Sequence, residues 1–197
     1  MPARLGACYD QGVLPGHASE RPPDVFSMLL DKRLVYLRAP ISDEVANTLV
    51  AQLLYLAQAD AEREIALYVN SPGGNADAGL VIYDALHAIP APVATTCVGT
   101  AGGAAALVLA GGARGRRSAL PNARVRLYQP AGGVEGTAAR IEVHAREIAR
   151  RTARLIELLA ADTGQHVERV ARDLEREAWM SAQDALAYGL IDRLVER

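Results

Sequence analysis

Nowhere does this chain run to the roughly 20 consecutive apolar residues that a membrane span needs. Its first residues, MPARLGACYDQGVLPG, lack the continuous apolar core of a secretory leader. Charge of one sign is not in excess: 21 Lys and Arg stand against 23 Asp and Glu, a formal net charge of -2. A nucleic acid therefore gains no electrostatic reason to bind. The two cysteines, Cys8 and Cys97, make neither a disulfide framework nor a metal set. Cys97, inside a run of strand-formers, is expected to pack as a small hydrophobe. His17, His87, His144 and His166 have no His, Cys or carboxylate at metal-ligand spacing, so solvated surface imidazoles are expected. No Gly-Lys-Ser/Thr occurs, and no Gly-x-Gly-x-x-Gly opens a helix, which argues against a phosphate cradle. The expectation is a cytoplasmic protein with no metal, no cofactor, no membrane and no nucleic acid.

What is present is an alternation of strand and helix patterns. With 197 residues, half of them hydrophobic, the chain can bury one sizeable core. Residues 1–24 are rich in Gly, Pro and polar residues and read as a mobile arm ahead of one domain, 25–197. Strands are expected at Arg33–Leu37, Ile65–Val69 and Val93–Val98, with shorter ones at Arg117–Leu120, Arg124–Tyr128 and Ile191–Val195. Ser42 is placed to cap a helix in which Val45, Leu49, Leu53 and Leu56 recur at helical spacing. Further helices are expected at Asn75–Ile89, Ala104–Ala110, Thr137–Asp162, Val167–Leu174 and from Ser181 to Gly189. Such alternation predicts an α/β fold with helices covering the sheet.

Two junctions carry possible chemistry. Ser71-Pro72-Gly73-Gly74 follows a strand and precedes a helix, where glycines can free backbone N–H groups for an oxyanion or a peptide strand; an ordinary βα turn stays an open alternative. Gly99-Thr100-Ala101-Gly102-Gly103-Ala104-Ala105-Ala106 lies where hydrolases hold a nucleophile, at a sharp strand-to-helix turn. Its apex carries neither hydroxyl nor thiol; close helix–strand packing is the simpler use of its glycines. Thr100 lies three residues short of the apex, with no visible base. Along the long helix, Glu142 to Arg146 and Glu147 to Arg151 are i,i+4 pairs in the favourable order, each contributing about 0.2–0.5 kcal/mol.

In order along the chain, Val69-Asn70-Ser71-Pro72-Gly73-Gly74, Leu120-Pro121-Asn122-Ala123-Arg124-Val125, Gln129-Pro130, Ile141-Glu142-Val143-His144-Ala145-Arg146-Glu147-Ile148 and Tyr188-Gly189-Leu190-Ile191-Asp192 form a set. Over about Asp24 to Val195 this set resembles the proteolytic subunit of the Clp protease, a self-compartmentalised serine peptidase of family S14. The resemblance implies a crotonase-like ββα superhelix, a single domain with a protruding strand–helix handle. It also implies heptameric rings stacked as a two-ring barrel, fed by an AAA+ unfoldase, with residues 1–24 as a possible axial loop.

The family's site pattern is where the chain departs. Where Gly-x-Ala-Ala-Ser-Met-Gly has its nucleophile, the residue is Gly103; the histidine before Gln-Pro is Tyr128; the aspartate of Arg-Asp-x-Phe is Glu177 in Arg176-Glu177-Ala178-Trp179. Gly103 cannot attack, and a tyrosine with a pKa near 10 is a poor base at neutral pH. The resemblance assigns oxyanion and peptide-strand roles to Gly73, Gly74 and Ala104, and the ring-to-ring contact to Gly132, Gly133 and Gly136 beside the long helix. Its unfoldase-docking pocket falls on Ala66, Tyr68, Ala88 and Ser118, mostly too small to anchor a hydrophobic loop. The expected function is a non-catalytic subunit, structural or regulatory, in a heteromeric barrel with an active Clp-protease subunit. Two alternatives stay open: a crotonase-like acyl-thioester enzyme with Glu177 as base, and a homomeric peptide- or inhibitor-binding pseudoprotease.

Overall fold

The computed structural model describes residues 24–130, 133 and 135–195. The expected arm, apart from Asp24, lies outside these residues. Among the described residues there are seven helices and one seven-stranded sheet. In chain order the elements are α1 Val25–Asp31, β1 Leu34–Leu37, α2 Asp43–Ala59, β2 Ile65–Ser71, α3 Ala76–Ala88, β3 Val93–Gly102, α4 Ala104–Ala110, β4 Arg117–Ala119, β5 Arg124–Arg126, α5 Ala138–Thr163, α6 Val167–Glu175, β6 Trp179–Ser181, α7 Ala182–Tyr188 and β7 Arg193–Leu194. No helix among them is long and apolar enough to cross a membrane.

The spine of the sheet runs β1-β2-β3-β4-β7, all parallel. One face follows from the strands' two-residue period: Val35, Leu37, Ile65, Leu67, Val69, Val93 and Cys97 are all buried. Helix α4 is buried at every residue, which explains its Ala-rich, all-apolar sequence. Helix α2 turns Ala46, Leu49, Leu53 and Leu56 inward, and Ser42 caps it by accepting from the Val45 N–H at 3.2 Å.

Strand β3 departs from the sequence expectation. It continues through Gly99–Gly102, so the anticipated broad turn shrinks to Gly103. The reason is a fork. Thr95–Cys97 pair with β4, whereas Thr100–Gly102 pair with β5, which in turn pairs antiparallel with β6. Backbone donors past Cys97 thus keep a strand partner, as buried amides require. The β2–β3 register shifts between Val69 and Ser71. There the Asn70 side-chain oxygen accepts from the Thr100 N–H at 3.1 Å, in the space a side chain on Gly99 would need.

Two elements escaped the sequence expectations. Helix α1 packs on β1 within a stretch read only as the start of the domain, and the short β6 pairs with β5. Strand β5 stops at Arg126, not Tyr128. Arg33, expected to open a strand, is a left-handed pivot (φ 61°) before β1. Its buried guanidinium donates to the carbonyls of Leu56, Asp60, Arg63 and Glu64, tying the end of α2 to the connection that leads into β2.

The first three turns of α5, from Ala138 to Glu147, are exposed throughout, and only Leu155, Leu159 and Ala160 of this helix are buried. It is a protruding handle rooted at its C-terminal end. Glu142 pairs with Arg146 as expected. Arg151 does not pair with Glu147; it reaches Asp77 of α3 at 2.8 Å and pins the handle's base. The root is fastened further by Arg114, which donates to the Ala161 carbonyl, and by Arg117, which donates to the Asp162 carbonyl.

Candidate functional site

The elbow at Gly103 has φ 46° and ψ −112°, a conformation in which an L side chain is strained. Its N–H donates to the Arg126 carbonyl at 2.8 Å, and its carbonyl accepts from Ala106 and Leu107, starting α4. The elbow is therefore fixed from both sides.

Beside it lies the turn after β2. Ser71 is the last residue of that strand, and its hydroxyl donates to the Ala39 carbonyl at 2.7 Å and accepts from the Gly73 N–H at 3.2 Å. That hydroxyl is structural. Gly73 has φ 98°, and a Cβ there would collide with the Gly102 carbonyl oxygen and the Tyr128 hydroxyl. Its own carbonyl accepts from Ile41 at 2.7 Å, and Gly74 bridges Ile41. Among the described residues, the structure gives neither the Gly74 nor the Ala104 N–H a hydrogen-bond acceptor. Each adjoins the candidate site: Gly74 closes the turn, and Ala104 opens α4 just after the elbow.

Tyr128 joins the two junctions. A Cβ on Gly103 would lie 2.6 Å from Cζ and 2.8 Å from Cε1 of the Tyr128 ring. The Tyr128 hydroxyl donates to the Pro72 carbonyl at 3.0 Å. On the same stretch, the Arg126 guanidinium lies 4.9 Å from the Tyr128 ring centroid and 5.2 Å from that of Trp179. Glu177 forms an ion pair with Arg126. Cation–π contacts of this kind contribute about 0.5–1 kcal/mol at exposed sites.

Of the three positions matched to a triad, the structure brings Gly103 and Tyr128 into contact, while the Glu177 carboxylate is engaged by Arg126. Glu177 has φ 53°, an uncommon conformation for a residue other than glycine. Thr100 sits inside β3, paired with Arg124. Burial pushes the Cys97 thiol up to about 11, so it stays an inert core group. His87 is exposed, but its Nδ1 lies 2.8 Å from the Tyr83 carbonyl and its ring packs on Tyr83. His144 is exposed on the handle, and His166 precedes α6 without capping it.

The remaining expected positions are scattered. Gly133 and Gly136 are exposed ahead of α5, and Gly132 lies outside the described residues. Ala66, Tyr68 and Ser118 share the second face of the sheet: Tyr36, Tyr68, Thr96 and Ser118 stand in one register row. Tyr68 is exposed and Ala88 is exposed at the end of α3. Ser118 is a correction to the picture of an open pocket wall: it is buried, and its hydroxyl is 2.9 Å from that of Thr96.

Sequence reasoning passed over Asn70, Arg126 and Trp179 as parts of this site. Arg126 had a signal, because Arg124, Arg126 and Tyr128 alternate at the two-residue period of a strand with Val125 and Leu127 buried between them. Asn70 had none, since its partner is 30 residues away.

A largely parallel α/β sheet with a sharp strand-to-helix elbow beside a glycine-rich βα turn defines the class: a scaffold of the crotonase-like fold. The family model of the Clp protease matches residues 17–197. The chain belongs to the Clp protease family.

Proposed function

We propose that this chain is a non-catalytic subunit of a Clp-type protease, structural or regulatory, which assembles with an active subunit into a heteromeric barrel. The observation that carries the reading is the Tyr128 ring lying where a side chain at position 103 would begin. The elbow thus lacks an attacking atom and also lacks room for one. Loss of a triad member leaves a serine protease with only about 10³–10⁴-fold acceleration over water, too little for useful peptide hydrolysis.

The features that support the reading belong to backbone and surface. In this reading, peptide binding would rest on the Gly73–Gly74 turn and the Ala104 N–H, and ring contact on the exposed handle of α5. On the sheet face shared by Ala66, Tyr68 and Ser118, only Tyr68 of the three is large, which supports weak or indirect docking of an AAA+ unfoldase. Engagement of Glu177 by Arg126 weighs against the acyl-thioester alternative, whose base it would have to be.

The test is co-expression with an active Clp-protease subunit, followed by native mass spectrometry. Mixed rings are expected; free monomer alone, or complexes without the active subunit, would count against the proposal. Purified alone, the chain is expected to leave fluorogenic peptides intact and to resist fluorophosphonate labelling.

A further inference from the structure

Away from the elbow, a hollow of about 260 Å³ is lined by residues of α6, β6 and α7. It is just under the roughly 300–1,000 Å³ of sites for drug-sized ligands, a size that suits a smaller molecule. Helix α6 and its C-cap supply most of the charge. Arg169, Asp173 and Arg176 stand at i, i+4 and i+7, a spacing that sets one carboxylate between two guanidiniums on one helix face. Asp173 is buried, and both its oxygens are engaged. Oδ2 accepts from the Tyr188 hydroxyl at 2.9 Å with the Arg169 Nε at 3.8 Å, and Oδ1 has the Arg176 Nη2 at 2.7 Å. Asp184, the other acid in the lining, is engaged too. Its Oδ2 accepts from the Ser181 N–H at 3.0 Å and the Ser181 hydroxyl at 2.6 Å, and the Arg124 charge acts on it as well.

The arginines are less fully used. Two of them share Asp173, so one positive charge is left that this carboxylate does not cancel. Their side chains are 52% and 72% exposed, open to a ligand from solvent. Among the described residues, no acceptor meets Nη2 of Arg169 or Nε and Nη1 of Arg176. Beside them the lining is apolar, with Trp179, Met180 and the Tyr188 ring. Guanidinium–carboxylate hydrogen bonds are charge-assisted and about twice as strong as neutral ones.

We propose that this hollow binds a small monocarboxylate with an apolar body. The carboxylate bridges the Arg169 and Arg176 guanidiniums, and the apolar part lies against Trp179 and Met180. Trp179 is the chain's single tryptophan, so intrinsic tryptophan fluorescence reports on this hollow.

The experiment titrates the full chain with N-acetyl-leucine. Parallel titrations use N-acetyl-leucinamide, which lacks the charge, acetate, which lacks the apolar body, and leucinamide, which carries the opposite charge. A saturable fluorescence change is expected with N-acetyl-leucine, and binding weaker by about tenfold or more with each of the others. Arg169→Gln and Arg176→Gln should each weaken N-acetyl-leucine about tenfold, the scale of one charge-assisted hydrogen bond. Should Arg176→Gln not fold, Arg169→Gln decides alone. No saturable change, equal binding of the amide or of acetate, or wild-type affinity in Arg169→Gln overturns the proposal. So does a preference for leucinamide, which would make the two carboxylates the recognising groups.

Discussion

Replacing Gly103 by serine sets two penalties at one residue. The backbone sits at φ 46°, and the new Cβ would lie 2.6 Å from the Tyr128 ring. Overpacking of this sort costs about 1–3 kcal/mol. Gly103→Ser alone should therefore lower the melting temperature and gain no peptidase activity, since no base stands beside the new hydroxyl. Pairing it with Tyr128→His should recover part of the loss. In a double-mutant cycle the coupling should fall near 0.5–3 kcal/mol, as for residues in direct contact. Additive melts would mean that the two positions do not touch.

Two partly buried carboxylates answer to pH in opposite directions. Burial alone would raise the Asp192 carboxyl, but the hydrogen bonds and charge of Arg117, 2.6 Å away, outweigh it and hold the group below the usual carboxylate range. Its stabilisation is present above the unfolded value of 3.8 and is lost as pH falls through the lower folded value. Asp162 behaves the other way. Burial raises its pKa against the pull of Tyr83 and His87, and its Oδ2 is buried without a partner. It contributes fully only below 3.8, and that contribution is lost as pH rises through the elevated folded value. Thermal melts should thus find Asp192→Asn less stable than wild type at pH 7, and Asp162→Asn more stable. Both gaps should close on acidification. A wild-type advantage over Asp162→Asn at pH 7 would contradict this assignment.

At the scale of elements, the handle is fastened by contacts between α5 and α3 and between α5 and the loop before β4. Arg151 and Asp77 are both partly exposed, so their ion pair should contribute at most about 1 kcal/mol. Arg151→Ala is expected to shift the global melt little and to speed amide exchange in the root of α5. Helix caps matter more. The Asn75 side chain accepts from the N–H groups of Asp77 and Ala78, and Asn75→Ala should destabilise by about 1 kcal/mol. An unchanged denaturation midpoint would remove that role.

Element legibility followed the same division. Helices with a marked apolar stripe and a capping residue, such as α2 behind Ser42, could be read from spacing. So could α7, where Ser181 and Asp184 form a capping box. The short α1 and β6 could not, because neither carries a local pattern long enough to show a period. The extension of β3 was hidden for another reason. Gly99, Ala101 and Gly102 have weak strand propensity, and pairing with β5 on one side and with Ser71 of β2 on the other keeps the stretch extended.

For the whole molecule, the proposed assembly makes the exposed handle the element that a partner ring would meet. Ile141 and Val143 stand 44% and 59% exposed on it. Val143→Glu should leave the stability of the isolated chain within about 0.5 kcal/mol, as surface changes do, while weakening assembly in native mass spectra. Unaltered assembly would place the ring contact elsewhere.

By itself the sequence determined that Gly103, Tyr128 and Glu177 stand at the positions the resemblance matches to a serine, a histidine and an aspartate, because residue identity needs no coordinates. It also determined the α/β alternation, since the periods of 2 and 3.6 residues are local properties. Tertiary structure alone decided what surrounds the Gly103 elbow. Tyr128 meets Pro72 across 56 residues of chain, and Arg126 meets Glu177 across 51. Such contacts depend on how the forked sheet brings distant segments together, and no local pattern in the chain encodes that.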